Sequence, residues 1–205
     1  MPVRTTLPYN DGLYFITLTC HQWLPLIELT KSYDLVYKWF DYLKSKGHYI
    51  SGYIIMPNHI HVLIGFRNCG KSINTIIGNG KRFIAYEIIK RLQQQGQDDL
   101  LQQLRNAVER KDRERNKLHE VWEDSFDWKE CRGDNFINQK LNYMHNNCCN
   151  GKWSLSEGPA DYEYSSARYY ICGEHAAYVV TNYMELADVD LTSSSIAPSP
   201  GSAQG

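Results

Sequence analysis

Met56-Pro57-Asn58-His59-Ile60-His61-Val62-Leu63-Ile64 reads as a turn followed by a β-strand, with two histidines separated by one isoleucine. Successive side chains of a strand point to opposite faces. His59 and His61 therefore share one face, while Ile60, Val62 and Ile64 share the other and belong in a core. Two imidazoles side by side on a rigid element make half of a divalent-metal site. A strand with two surface histidines would explain the pair equally well, so the rest of the chain has to decide.

Working outward, residues 13–20 are rich in aromatic and β-branched types and read as a strand. Residues 30–46 carry Leu35, Val36, Trp39, Phe40 and Leu43 at helical spacing, ending before Gly47. Residues 49–55 read as a strand that Met56-Pro57-Asn58 breaks, and 59–66 as the other arm of a hairpin. Helical spacing returns over 72–92 through Ile73, Ile76, Ile77, Phe83, Ile84, Ile88 and Leu92. Residues 93–118 are polar and charge-dense, as suits a surface helix or helical insertion. Residues 121–131, with Trp122, Phe126 and Trp128, should contain a fourth strand. Residues 135–147 should form a short helix with Phe136, Ile137, Leu141 and Met144 inward. The order β-α-β-β-α-β predicts an α+β, ferredoxin-like antiparallel sheet with helices on one face, plus a C-terminal helix. One domain over 1–190 is expected, with a low-complexity, disordered tail over 191–205.

The chain has 205 residues, 42% hydrophobic and 13% aromatic, which is globular rather than disordered in composition. No apolar run approaches the ~20 residues a membrane span needs. The first residues contain no apolar signal core, so a cytoplasmic protein is expected. The six cysteines show no CxxC spacing and read as reduced thiols. Net charge is −1, yet residues 67–117 hold twelve Lys/Arg against six Asp/Glu, and residues 118–190 hold five against thirteen. A local basic stretch can meet phosphates although the total is near zero. Charge alone fits a solvated helix face as well, so it permits a nucleic-acid partner without demanding one.

Tyr143 and Asn147 lie one turn apart on the same face of the 135–147 helix. Placed opposite His59 and His61, they complete a coherent set. The two imidazoles and the Asn147 amide oxygen could hold Mg2+ or Mn2+ with positions open for a phosphate oxygen. Tyr143 would supply an attacking hydroxyl, which at neutral pH needs activation. The product would be a covalent phosphotyrosine, suited to cutting followed by rejoining. With fifteen tyrosines in the chain, a packing role for Tyr143 stands as the bland alternative.

The Met56-Pro57-Asn58-His59-Ile60-His61 block resembles the HUH (His-hydrophobic-His) motif of single-tyrosine transposases, the insertion-sequence-200-like and REP-associated tyrosine transposases of bacteria. Trp122 and Phe126 match a Trp-x3-Phe element of that family, and Tyr143 and Asn147 its Tyr-x3-Asn pair. Tyr162-Glu163-Tyr164-Ser165-Ser166 matches a trailing aromatic-x-x-Ser-Ser element. Together the blocks span roughly residues 10–170. The resemblance implies a metal-dependent DNA transposase, a single-strand endonuclease and strand transferase that nicks and rejoins single-stranded DNA. Tyr143 would be the catalytic nucleophile, leaving a 5′-phosphotyrosine link and a free 3′-hydroxyl. His59, His61 and Asn147 would hold the metal. DNA hairpins would be recognised through a basic surface at Lys71, Lys81 and Arg82. The implied protein is cytoplasmic, nucleoid-associated when bound to DNA, with no membrane partner; such proteins act as homodimers or as monomers.

Two positions depart from the family pattern. Cys148-Cys149 follow Asn147 where a proline is common, and Lys129 stands near a usual histidine. Tyr86, on the basic 72–92 helix, is the competing nucleophile, while His145 should lie on the helix side away from Tyr143. A domesticated, non-catalytic hairpin binder, an HUH-type replication initiator or relaxase, and an unrelated small metal-binding domain are the alternatives.

Overall fold

In the computed structural model, which describes residues 7, 9–150 and 153–193, strand alternation decides where everything sits. β1 (Gly12–Thr19) buries Tyr14, Ile16 and Leu18 on one face and Phe15 on the other. β2 (Tyr49–Met56) and β3 (His59–Phe66) form the expected hairpin, closed by the Met56–His59 pair with Pro57 and Asn58 as its turn. β4 (Asp127–Glu130) is shorter than the 121–131 stretch that contains it; upstream, Trp122 makes only an isolated bridge with Cys20. The sheet order is β2-β3-β1-β4 with every pairing antiparallel. This is the ferredoxin-like arrangement that the element order predicts.

A register shift between Ile50 and Gly52 places a bulge at Ser51. Because of it, Ile50, Tyr53 and Ile55 all face one core, whereas Ile54 and Met56 face the other. The first core lies under α2 (Tyr33–Ser45) and α3 (Ile73–Gln94), which follow the single-turn α1 (Leu26–Leu29). Trp39, Phe40, Leu43, Ile77, Ile84 and Ile88 pack there on Ile16, Leu18, Ile60, Val62 and Ile64. α2 begins at Tyr33 and not at residue 30, because Thr30 donates its hydroxyl to the Leu26 carbonyl and closes α1 instead. The charge-dense 93–118 stretch forms α4 (Asp98–Asn106) and α5 (Arg110–Arg113), and buried Leu101 and Leu104 join α4 to this same core.

The C-terminal helix takes the opposite face. α6 (Asp134–His145) lays Ile137, Leu141 and Met144 on Phe15, Ile54, Met56 and Leu63. Gly52 lets it come down: a Cβ there would sit 2.7 Å from both Leu141 Cδ2 and Met144 Cε. The free edge of β2 is covered by residues 162–166. Ile55 N donates to the Tyr164 carbonyl at 2.9 Å, Ser166 N donates to the Tyr53 carbonyl at 2.9 Å, and the Tyr162 hydroxyl donates to the Ile55 carbonyl at 2.8 Å. α7 (Ala167–Cys172) and a 3-10 turn, Tyr183–Leu186, provide the helical part expected in 160–185. Of the expected tail, Leu191 and Ser193 are hydrogen-bonded to Asn68 and Arg67, and 194–205 fall outside the described residues.

Ser166 ties this edge segment to α6. Its hydroxyl accepts from Tyr53 N at 2.9 Å and bonds His145 Nε2 at 2.9 Å, and both side chains are buried. Ser166→Ala would leave a buried N–H and a buried imidazole without this partner. A loss of about 1–3 kcal/mol follows from such orphaned groups, measurable as a lower urea midpoint at unchanged m-value.

Candidate metal and nucleophile site

The register of β3 brings the two imidazoles together at a ring-centroid distance of 4.7 Å, with His59 6% and His61 4% exposed. Each ring has one nitrogen already engaged. The Asn58 amide donates from Nδ2 to the Trp23 carbonyl at 3.1 Å, which turns its oxygen toward His59 Nδ1 at 2.8 Å. An amide oxygen only accepts, so Nδ1 carries the proton and Nε2 is left with its lone pair. His61 Nδ1 lies 2.9 Å from Thr17 Oγ1, its register partner's hydroxyl, which likewise occupies Nδ1. Phe15 stacks on His61 at 5.2 Å. Burial keeps both rings neutral: it pushes His59 down to about 4, against a contact with Asn147, and His61 to about 3, with His59 and Lys140 adding to the effect. Neutral imidazole is the form that ligates a metal.

α6 supplies the other half. It ends at His145 and continues as a 3-10 turn, Asn146–Cys149, so the predicted helix is split between Tyr143 and Asn147. The one-turn stacking survives, because Asn147 Nδ2 donates to the Tyr143 carbonyl at 3.1 Å. The Asn147 side chain also neighbours the His59 ring, where it opposes the effect of burial. Tyr143 is 56% exposed, with its ring 5.4 Å from His61 and 6.2 Å from Phe15. Lys140 Nζ sits 5.8 Å from the centre of the Tyr143 ring and 5.3 Å from that of Phe15. The structure thus gathers His59, His61, Asn147 and Tyr143 into one cluster, whose two imidazole nitrogens and one amide oxygen can ligate a divalent cation.

The residues proposed for DNA contact lie elsewhere. Lys71 and Arg82 are exposed, Arg82 donating to Asn79 Oδ1, while Lys81 donates to the Glu123 carbonyl at 2.7 Å and is pulled down to about 8 by burial. Lys81 and Arg82 are on α3, which packs against the sheet face opposite the imidazoles. Exposed Tyr86 lies on that helix as well, separated from the histidines by the sheet. Among the described residues, Asp112, Glu120 and Asp124 form an acidic group that could hold a cation. Lys117 Nζ already stands among them, at 3.7, 2.5 and 3.9 Å. His145 is buried against Ser166 and Tyr170. Trp122, from the Trp-x3-Phe element, is buried and donates to the Lys81 carbonyl at 2.9 Å, a packing role.

Sequence reasoning missed Thr17, Asn58 and Lys140. Lys140 lies three residues before Tyr143, a spacing that places both on one helix face. Thr17 follows only from the strand register, and Asn58 sat in the motif without a role.

Four histidines, 48, 59, 61 and 145, are held neutral by burial, at about 4, 4, 3 and 4. Their folded values lie below the unfolded value of about 6.5. The stability they allow is therefore present above pH ~6.5 and falls as pH drops from there toward ~4, because the unfolded chain takes up protons that the native state refuses. Thermal melts of the metal-free protein should show Tm falling across that window, with protons taken up on unfolding at pH ~5.

No family model and no curated protein matches the chain. Among solved structures, it superposes on a REP-associated tyrosine transposase bound to a REP hairpin with a TM-score of 0.58. That alignment covers 89% of this chain and 94% of that one at 13% identity. A putative transposase from Deinococcus radiodurans R1 aligns over 70% of this chain and 97% of that one, at a TM-score of 0.41 and 14% identity. No helix among the described residues is long and apolar enough to cross a membrane. The four-stranded antiparallel sheet, its two helical layers and the match along almost the whole chain give this protein the same fold as that REP-associated tyrosine transposase.

Proposed function

We propose that the protein is a metal-dependent DNA transposase that nicks and rejoins single-stranded DNA through Tyr143. The observation that carries this reading is an exposed phenol 5.4 Å, ring to ring, from a buried, neutral imidazole pair whose Nδ1 atoms are both engaged. His59 and His61, through Nε2, and Asn147, through its amide oxygen, would hold Mg2+ or Mn2+. When bound, the ion supplies Lewis-acid polarisation of the scissile phosphate.

The chain's own groups account for the rest. Tyr143 Oη forms a bond to phosphorus while the bond from phosphorus to the 3′-oxygen breaks. The phenol proton is lost and the departing oxygen gains one, giving a 5′-phosphotyrosine and a 3′-hydroxyl. Lys140 places a cation beside the Tyr143 ring, where it attracts the approaching phosphate. Phosphoester energy is retained in the tyrosyl link, so the reverse attack by a 3′-hydroxyl rejoins a strand. Hairpin recognition is part of the proposal, supported by the hairpin held by the structural neighbour. Lys71 and Arg82 remain candidate phosphate contacts, and the partnership of Lys81 with the Glu123 carbonyl makes it the weakest of the three.

Hairpin oligonucleotides from the DNA flanking the gene, incubated with and without Mn2+ and run on denaturing gels, test the reading. A metal-dependent covalent adduct is expected with the wild type, and none with Tyr143→Phe, whose hairpin affinity should stay within about twofold since only a hydroxyl is removed. An adduct that persists in Tyr143→Phe would overturn the assignment of the nucleophile. His59→Ala should abolish metal-dependent cleavage. Asn58→Ala should weaken Mn2+ binding about 10–100-fold by calorimetry, the usual effect of losing the partner that orients a ligating histidine.

A further inference from the structure

Trp23 stands beside the imidazole pair in a conformation that the backbone alone would not choose. Gln22 and Trp23 have φ of 50° and 59°, two successive non-glycine residues in the left-handed region. Glycine adopts that region without steric penalty, and a bulky aromatic is among the least suited to it. The turn is held from several sides. Trp23 N donates to the Cys20 carbonyl at 3.0 Å, Leu24 N to the His21 carbonyl at 3.1 Å, and Gln22 N to Glu123 Oε1 at 2.7 Å. The Trp23 carbonyl accepts from Asn58, the residue that orients His59. Strain maintained this firmly next to a candidate active site marks a functional constraint.

The side chain shows what that constraint serves. The indole meets the His59 ring edge-on, at 5.7 Å and 70°, yet is 57% exposed. Packing on His59 alone would favour a buried ring, and the turn alone would favour glycine. An indole anchored at one edge with most of its surface in solvent is a stacking platform, and unpaired nucleobases are planar partners that every sequence supplies.

We propose that Trp23 is a substrate-positioning residue that stacks on an unpaired base flanking the scissile phosphate and so sets the strand's register over the His59–His61 pair and Tyr143. This rests on the single-stranded DNA reading above. It predicts that the enzyme requires an unpaired base at that position and tolerates its identity.

The test pairs changes on both sides of the contact. Fluorescein-labelled hairpin oligonucleotides from the gene's flanks, and oligothymidylate as a sequence-neutral strand, are made with single abasic sites stepped through the nucleotides around the nick. Binding to wild type, Trp23→Ala and Trp23→Phe is measured by anisotropy, after circular dichroism and thermal melts establish that the variants fold. With wild type, one abasic position should weaken binding about tenfold, the scale of a lost base stack. In Trp23→Ala that position should cost less than about twofold, while Trp23→Phe should keep most of the penalty. Equal penalties at every position in wild type and Trp23→Ala would overturn the proposal and leave the indole as a lid on His59. Coupled penalties without any covalent adduct would support the stack and count against the nicking reading. Failure of wild type to bind any of these strands would overturn both.

Discussion

Dehydration of two imidazoles governs the site. All eight residues of β3 are buried, so both faces of the strand are out of water. On one face this is ordinary aliphatic packing. On the other it strips His59 and His61 of solvent, and the charged form of each becomes costly. Water that would otherwise satisfy the ring nitrogens is replaced by the Asn58 oxygen and the Thr17 hydroxyl. The same burial that supports the second core therefore keeps two lone pairs in the state a cation requires.

Position follows from packing against that strand. Gly52 lowers α6 onto the sheet, the bulge at Ser51 puts alternate residues of β2 in the correct core, and the 3-10 turn after His145 keeps Asn147 against His59. Lys140 adds a cation within reach of the Phe15, Phe136 and Tyr143 rings. On this face of the sheet a buried imidazole pair thus lies beside an apolar cluster, with the exposed Tyr143 phenol next to it.

Much of this was legible because it depends on short periodicities. Alternation in 59–66 put His59 and His61 on one face, and helical spacing placed Tyr143 and Asn147 one turn apart. The order of elements gave the ferredoxin-like sheet. What escaped depends on contacts between distant segments. Thr17 reaches His61 only through the register of β1 on β3, and Trp23 reaches Asn58 through a strained turn that no local propensity announces. The charge pattern misled in a different way. The basic residues Lys81 and Arg82 were grouped by sequence, but α3 lies across the sheet from the imidazoles, and Lys81 is occupied with the Glu123 carbonyl. The polar look of 93–118 hid Leu101 and Leu104, which dock α4 on the core.

The segment over 162–166 completes the edge of a strand that was synthesised more than a hundred residues earlier. Closing so long a loop costs chain entropy that the contacts must then offset. While the chain is still emerging from the ribosome, β2 has an open edge and α6 lacks the Ser166 latch on His145. A chain cut short of Ser166 would keep Tyr143 and the imidazoles and lose this tie between the edge of β2 and the helix that bears Tyr143.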